Sequence, residues 1–365
     1  MSLLKTKRTP AFYVPRIART AALCAFAAFA LTARAHAQTY TAITLDSLGG
    51  TISSATGINA SGQIVGVSYT AGNAAYHATL WNDTTATDLG ILPGAAGGQA
   101  IAINAPGQVV GASDAHATLW IGTTATSLST SGYSFASAIN ASAQIAGYTI
   151  SGGFYSATLW NGSTEISLAP GGSTYSTAAA INDSGQVAGR IGNHAALWNG
   201  ATATDLGTLG GSYSEAYGIN ASGQVVGVAY TAGDAATHAV LWNGTTPTDL
   251  GTLGGIFSSA FAVNASGQVV GGSSTAAGGV GTDPFLYTGG QMLDVYSLLQ
   301  NGSGITNLKV TGINDLGQIS AYGDIGGATV ALLLNPNTVP EPTVLALAAM
   351  GSLALFSRNT RRRRN

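Results

Sequence analysis

Residues 216–253 read AYGINASGQVVGVAYTAGDAATHAVLWNGTTPTDLGTL, and this stretch indicates the fold of the whole chain. It contains four short strand-like runs, at residues 216–220, 224–230, 238–242 and 248–253. Alternating apolar residues and β-branched side chains favour strands, and Asn-Ala-Ser-Gly-Gln between the first two runs is typical of a hairpin turn. No part of residues 38–340 keeps a 3.6-residue period, so the sequence predicts an all-β protein.

The stretch belongs to a repeat that occurs seven times along the chain, in units one to seven. Each unit has Ile or Val followed by Asn, and Gln stands four residues after that Asn. Successive asparagines are 36 to 50 residues apart, which is the range of a four-stranded propeller blade. The pairs are Asn59 and Gln63, Asn104 and Gln108, Asn140 and Gln144, Asn182 and Gln186, Asn220 and Gln224, Asn264 and Gln268, and Asn314 and Gln318.

The two ends of the repeat array indicate that it closes. Unit seven contains a third strand, Ala328 to Leu334, but no fourth strand follows it. A block that matches the fourth strand stands at the start of the array instead, where Leu45 to Gly50 matches Leu206 to Gly211. A first strand that completes the last blade closes a propeller without an exposed edge. We therefore predict a seven-bladed β-propeller of four-stranded blades over residues 38–336, its ring closed by the N-terminal strand; an irregular β-solenoid is the alternative.

Small residues recur at one position of the repeat. The residue before the Ile or Val is always Gly or Ala, which predicts a crowded channel lined by the first strands. In unit three, Ala143 replaces the turn glycine, so that turn is predicted to be strained or of another type. The small residues are Gly57, Ala102, Ala138, Ala180, Gly218, Ala262 and Gly312.

Connection lengths distinguish the two faces of the predicted propeller. The second-to-third and fourth-to-first connections vary in length, whereas the other two do not. Because strands alternate in direction, both variable connections emerge on one side, and such a side is usually the binding face of a repeat protein. The loops expected there are Ser68 to Tyr76, Tyr148 to Ser156, Ala229 to Thr237, Gly272 to Asp283 and Tyr296 to Leu308.

Residues 1–37 have the three parts of a secretory signal peptide. Basic residues are concentrated in 5–19, an apolar run follows at 20–32, and Ala35-His36-Ala37 offers a cleavage site before Gln38. The one cysteine, Cys24, leaves with this peptide. The exported part is therefore predicted to have no disulfide and no thiolate metal site.

The C-terminal segment, residues 337–365, combines a short motif, an apolar run and a basic tail. Residues 343–357 predict an apolar helix close to the length that spans a membrane. The arginines after it predict a cytoplasmic end that stops transfer: Arg358, Arg361, Arg362, Arg363 and Arg364. The motif before it consists of Val339, Pro340, Glu341 and Pro342.

This order of elements resembles the PEP-CTERM sorting signal of exported bacterial proteins, and an ordinary C-terminal membrane anchor is the alternative. The resemblance implies a membrane-embedded exosortase as partner, and it makes the Pro-Glu-Pro motif a substrate site for that enzyme. The location that it implies is the cell surface or the medium, with the membrane contacted through the helix before processing.

The repeat is similar to the HAF repeat of extracellular bacterial proteins. The similarity rests on three motifs in this order: His-Ala before the third-strand Trp, Asp-Leu-Gly-Thr-Leu-Gly-Gly, and Ile-Asn-x-x-Gly-Gln-Val-Val-Gly. Ser156 and Asp283 replace the His in units three and six. The similarity implies export and a β-rich array, and it carries no activity to transfer. The matching starts are His77-Ala78, His116-Ala117, His194-Ala195 and His238-Ala239.

The charge distribution argues against a nucleic-acid partner. The chain contains 13 basic residues, but only Arg190 and Lys309 lie within residues 38–340, which carry 14 of the 15 acids. Nucleic acids are bound mainly through Lys and Arg, so we expect no nucleic-acid partner for this segment.

Repeated side chains are predicted to be structural. The histidines, the tryptophans and the acids Asp88, Asp205 and Asp249 recur at equivalent positions of different blades, whereas the ligands of one metal ion must converge. We expect hydrogen bonding for the histidines, packing between blades for the tryptophans, and no metal or other cofactor. For the repeated asparagines and glutamines we expect turn formation and hydrogen bonds between blades.

Two functions remain from different classes. The first is a non-enzymatic binding or scaffold module at the cell surface or in exopolysaccharide. The second is a carbohydrate-active enzyme, which would need two carboxylates about 5 to 9.5 Å apart. Acids outside the repeat pattern are the candidates for the second function: Asp114, Glu165, Glu215, Asp234, Asp283 and Asp324.

Overall fold

The computed structural model describes residues 38–129, 132–169, 175–276, 282–300 and 304–337. The predicted signal peptide, residues 1–37, lies outside the described residues, as do the sorting motif Val339 to Pro342, the apolar run and the arginine tail. Residues Thr39–Asn337 form one compact unit. In the described ranges, the helical segments are too short or too polar to cross a membrane.

The described residues form an all-β structure, as the sequence predicts. One helical turn, α1 (Val295–Leu298), follows β25, and 3-10 turns occur at Ala71–Asn73 and Ala232–Asp234. The strands are β1 (Tyr40–Thr44), β2 (Gly49–Ile58), β3 (Ile64–Thr70), β4 (Tyr76–Asn82), β5 (Thr85–Asp88), β6 (Gly98–Ile103), β7 (Val109–Ser113), β8 (His116–Ile121), β9 (Thr124–Ser127), β10 (Tyr133–Ile139), β11 (Gln144–Ser151), β12 (Phe154–Asn161), β13 (Thr164–Ser167), β14 (Ser176–Ile181), β15 (Gln186–Ile191), β16 (His194–Asn199), β17 (Thr202–Asp205), β18 (Gly210–Ile219), β19 (Gln224–Thr231), β20 (Thr237–Asn243), β21 (Thr246–Asp249), β22 (Ser258–Val263), β23 (Val269–Ser273), β24 (Asp283–Thr288), β25 (Gln291–Asp294), β26 (Thr306–Ile313), β27 (Ile319–Ile325) and β28 (Ala328–Pro336).

The strands are arranged in a repeated pattern of antiparallel sheets. Units two to six each form a four-stranded sheet in chain order, from β6 to β9 in unit two through to β22 to β25 in unit six. The strands of units one and seven are joined by the parallel pairing of Ile52 with Thr329. In unit seven, β1 pairs antiparallel with β28, from Tyr40 opposite Pro336 to Thr44 opposite Leu332. The N-terminal strand therefore lies in the fourth position of unit seven.

The strand beside β28 precedes the block predicted for that role. Residues 45–48 connect β1 to β2, and residues 206–209 connect β17 to β18 in the same way; the two glycines that end each block begin the next strand. After β17 and β21, the glycine that follows the buried leucine has a positive φ, 72° at Gly207 and 73° at Gly251, which ends the extended chain there; after β1 this position is Asp46. For the same reason β21 ends at Asp249 and does not continue to residue 253.

Each repeated asparagine closes its own turn and binds the next unit. In unit five, Oδ1 of Asn220 accepts the amide of Gln224 at 3.0 Å, and Nδ2 donates to Oε1 of Gln224 at 2.8 Å. The same Nδ2 donates to the carbonyl oxygen of Asn264 in unit six at 3.0 Å. Equivalent bonds join the other units, and Asn314 of unit seven donates to the carbonyl oxygen of Asn59 in unit one at 3.1 Å. The turn and inter-unit roles predicted for Asn are confirmed.

Apolar clusters lie between neighbouring units. Leu89 of unit one packs with Trp120 of unit two, and Leu206 of unit four packs with Trp242 of unit five. The five tryptophans are at most 2% exposed. Trp120 donates its indole N–H to the carbonyl oxygen of Gly90 in the preceding unit at 3.2 Å, and Trp81 and Trp198 make equivalent bonds. The inter-unit packing predicted for these residues is confirmed.

Ala143 adopts the left-handed conformation that glycine has in the equivalent turns. Its φ is 60°, and its amide donates to the carbonyl oxygen of Asn140 at 3.0 Å, much as Gly62 donates to Asn59 at 3.1 Å. The turn of unit three is therefore of the same type as the others, and its backbone is strained at Ala143. Of the two predicted alternatives, a strained turn or a turn of another type, the first is confirmed.

Relieving this strain is expected to stabilise the protein. A side chain in the left-handed region costs about 1 to 2 kcal/mol, so Ala143→Gly should raise the free energy of unfolding by about 1 kcal/mol after the entropy of glycine is subtracted. Urea unfolding measures the change. Ala141→Gly in the same turn is the control, and it should lower stability; a gain at Ala141 equal to that at Ala143 would contradict the explanation.

Candidate functional site

A row of aromatic side chains crosses units three to five. The ring centroids from Phe135 to Tyr175 are 4.7 to 5.5 Å apart at each step. The guanidinium carbon of Arg190 lies 4.3 Å from the ring centre of Tyr175 and 5.3 Å from that of Tyr213. The rings of Tyr213 and Tyr230 are 5.2 Å apart. We call this set the aromatic row: Phe135, Tyr148, Tyr155, Tyr175, Arg190, Tyr213 and Tyr230.

An extended hairpin positions the unit-three part of the row. β11 and β12 remain paired to Ser151 opposite Phe154, so the predicted loop Tyr148 to Ser156 is mostly strand. The reason is the two-residue turn Gly152-Gly153, where both residues have positive φ, as a type I′ hairpin turn requires. The hairpin carries Tyr148 and Tyr155, and the predicted loop Ala229 to Thr237 supplies Tyr230.

A charged pair lies in the middle of the row. Nε of Arg190 on β15 is 3.6 Å from Oε1 of Glu215 on β18, so the pair joins units four and five. Oε2 of Glu215 accepts the hydroxyl of Tyr213 at 2.6 Å and that of Tyr217 at 3.2 Å. Burial, and then the neighbouring carboxylate, raises the pKa of both tyrosine hydroxyls well above the ordinary value. Both tyrosines therefore stay protonated and hold Glu215 in place.

Solvent reaches the aromatic row along its length. Phe135, Tyr148, Tyr155, Tyr213 and Tyr230 are half-buried, and Tyr175 is 37% exposed. The side chain of Arg190 is 15% exposed. Within the described part of the chain, the hydroxyls of four row members make no hydrogen bond to protein: Tyr148, Tyr155, Tyr175 and Tyr230. A contiguous set of aromatic side chains that solvent reaches is a candidate binding surface.

The first strands of all seven units line one cavity of about 360 Å³. The seven small residues predicted to face a crowded channel are among its walls. A Cβ on Gly218 would lie 2.9 Å from the carbonyl oxygen of Phe261, which explains the absence of a side chain there. Tyr217 lines this cavity and donates to Glu215, so the cavity and the charged pair are in contact.

Most of the six candidate catalytic acids have local hydrogen-bond or ion-pair partners. Asp114 accepts the amides of Ala96 and Gly97, and Glu165 accepts the indole N–H of Trp160. Glu215 belongs to the charged pair, and Asp283 lies on β24.

Two of these acids are held ionised by local hydrogen bonds. The backbone amide of Ser212, and then its hydroxyl, lower the pKa of Asp234. Hydrogen bonds from Asn307 and Thr329 lower the pKa of Asp324. In the residues that the structure describes, no hydrogen bond joins one of the six acids to another. The charges of Asp283 and Asp324 both contribute to raising the pKa of Tyr296, for which burial is the larger cause.

The repeated histidines bind the repeated aspartates. Nδ1 of His77 lies 2.8 Å from Asp88, Nδ1 of His194 lies 2.8 Å from Asp205, and His238 and Asp249 form the same pair at 2.9 Å. In each case the second carboxylate oxygen accepts the amide of a glycine two residues later. The hydrogen-bonding role predicted for these three histidines is confirmed.

Unit three replaces both members of this pair together. Ser156 and Ser167 stand at the His and Asp positions, and their hydroxyls are 3.2 Å apart. A cavity of about 410 Å³ adjoins His194 and Asp205 in unit four. Among the described residues, no group of three or more His, Cys, Asp or Glu is arranged to hold a metal ion.

The sequence reasoning missed most of the aromatic row. Glu215 was among the candidate acids, but Arg190, Tyr175 and Tyr213 were not singled out. A usable signal was present, because the residue four after the repeated Gln is Tyr148 in unit three and Arg190 in unit four, where four other units have Val, Ala or Gly. Large side chains at this position, in two neighbouring units, indicate a candidate binding surface.

Comparison with known proteins finds no family model that matches the chain and no curated protein with significant similarity to it.

Proposed function

We propose that the seven units close into a seven-bladed β-propeller. Three observations support the closure: β1 pairs with β28, Asn314 donates to Asn59, and Leu45 packs with Trp81 and Ala331 between units seven and one. The cavity lined by all seven first strands is the central channel of this propeller.

The propeller is an exported, non-enzymatic binding or scaffold module that works at the cell surface or in exopolysaccharide. The single observation that carries this function is the solvent-accessible aromatic row, which offers flat apolar surfaces and free hydroxyls to a ligand. Local hydrogen bonds occupy five of the six candidate acids, which favours structural roles for them over catalysis.

Export and sorting follow from the two ends of the chain. Residues 1–37 direct secretion, and residues 337–365 deliver the protein to an exosortase that cuts near Pro340 to Pro342. The arginine tail stops transfer until the cut is made. The propeller is then released to the surface or the medium.

A co-sedimentation and turnover experiment tests the function. The full-chain protein is incubated with a panel of insoluble and soluble polysaccharides, and both bound protein and newly formed reducing ends are measured. We expect binding to at least one polysaccharide, with no release of reducing ends. A steady release of product that is lost in Glu215→Gln would favour the carbohydrate-active enzyme, and a complete absence of binding would remove the proposed function.

A further inference from the structure

We propose that the aromatic row is the binding site for an uncharged polysaccharide chain, with several sugar rings in contact at once. This inference rests on the proposed binding function and adds the site and the chemical class of the ligand. It is carried by the geometry of the row, by its free hydroxyls and by its charge.

The geometry of the row suits an elongated ligand. Its members follow one another at 4.3 to 5.5 Å across three units, from Phe135 on β10 to Tyr230 on β19. A monosaccharide covers one or two of these positions, whereas a linear polymer follows the row. The apolar C–H faces of sugar rings pack on aromatic rings, which lose little conformational entropy on binding.

The hydrogen-bonding groups of the row suit a ligand rich in hydroxyls. The hydroxyls of Tyr148, Tyr155, Tyr175 and Tyr230 make no bond to protein within the described residues, although their rings are packed. Each hydroxyl can donate and accept, as sugar hydroxyls do. A purely apolar ligand would leave these groups unsatisfied, and that loss is costly in a desolvated contact.

The charge of the row favours a neutral polymer over an acidic one. Arg190 is the cation of the row, and Glu215 neutralises it at 3.6 Å. Only two basic residues stand against 14 acids in residues 38–340, so the domain as a whole repels a polyanion. A polymer of uronic acids would meet this repulsion without a free cation to offset it.

Affinity electrophoresis of the full-chain protein tests the inference. The probes are hydroxyethylcellulose, galactomannan and dextran as neutral polymers, and polygalacturonate and alginate as acidic ones. Tyr155→Ala and Tyr175→Ala are each expected to weaken retardation by a neutral polymer about tenfold, because each removes one stacking ring. Tyr175→Phe keeps the ring and should weaken binding only about threefold.

Tyr76 offers a matched control. It is exposed to the same fraction as Tyr175, 37%, but it lies in unit one, outside the row. Tyr76→Ala should leave retardation unchanged. Thermal unfolding of each variant verifies the fold, and Tyr175→Phe provides the readout if either alanine variant is unstable.

The outcomes separate this inference from the proposed function. If a neutral polymer binds but the row variants bind it as well as the parent protein does, the row is the wrong site and the binding module stands. Retardation by acidic polymers alone would overturn the assigned chemistry. If none of the five polymers retards the parent protein, both the inference and the proposed function fail.

Discussion

Replacing Asn314 with alanine is expected to lower the free energy of unfolding by about 3 kcal/mol. The substitution removes the donor to the carbonyl oxygen of Asn59 and the acceptor for the amide of Gln318, while Asn314 itself is only 5% exposed. Each buried group left without a partner costs about 1 to 3 kcal/mol. Guanidinium unfolding followed by tryptophan fluorescence measures the loss.

The comparison with Asn182→Ala makes this a test of closure. Asn182 makes the equivalent bond from unit four to unit five, in the interior of the array, at 3.2 Å. In a closed propeller the two substitutions should cost the same within about 0.5 kcal/mol, because each breaks one of seven equivalent links. Asn199→Ala, at an exposed strand end, is the control and should change stability by less than about 0.5 kcal/mol. A loss at Asn314 far below that at Asn182 would indicate an open array.

Removing the ring of Tyr40 is expected to have an effect of similar or larger size. Tyr40 is fully buried on β1, and it packs in the cluster that contains Leu298, Leu308 and Leu334. Truncating a buried aromatic residue to alanine costs about 3 to 5 kcal/mol, so Tyr40→Ala should loosen the N-terminal strand from β28. Thermal unfolding measures the loss, and the exposed Tyr133 gives the control variant Tyr133→Ala.

Removing the hydroxyl of Tyr40 should not lower the stability of the protein, in contrast to removing its ring. This oxygen is buried and has no hydrogen-bond partner in the described residues, and burial raises its pKa well above the ordinary value. Tyr40→Phe removes the unsatisfied group, so it is expected to be neutral or to stabilise the protein by about 1 kcal/mol. A loss from Tyr40→Phe as large as that from Tyr40→Ala would show that the hydroxyl, and not the packed ring, is what matters.

Local and periodic features of the fold were predictable from the sequence. The Asn-to-Gln spacing recurs in all seven units, the turn glycine in six and the third-strand Trp in five. Each has the same role wherever it occurs: closing a hairpin, allowing a positive φ or filling the space between sheets. The same logic marks Ala143 as a departure from the repeat, with a turn that is either strained or of another type, and its φ of 60° shows that it is strained. These features were recognisable in the sequence because the same local pattern occurs in several units.

Strand boundaries were less predictable than the repeat. Leu45 to Gly50 matched a fourth strand by residue type, yet the strand that pairs with β28 is Tyr40–Thr44. The strands β17 and β21 end just before the buried leucine of the block, and β1 ends at the same point, so the matching residue types mark the connection after the strand.

The sequence by itself determined the units, their turns and the side chains that pack between them, because these contacts involve residues at fixed spacing within the repeat. The aromatic row was decided only by the tertiary structure. Arg190 lies on β15, Glu215 lies on β18 and Tyr175 precedes β14. None of them is repeated, so their spacing in the sequence does not predict that they meet. Their contact arises because neighbouring sheets pack face to face, which brings together positions that the chain order keeps apart.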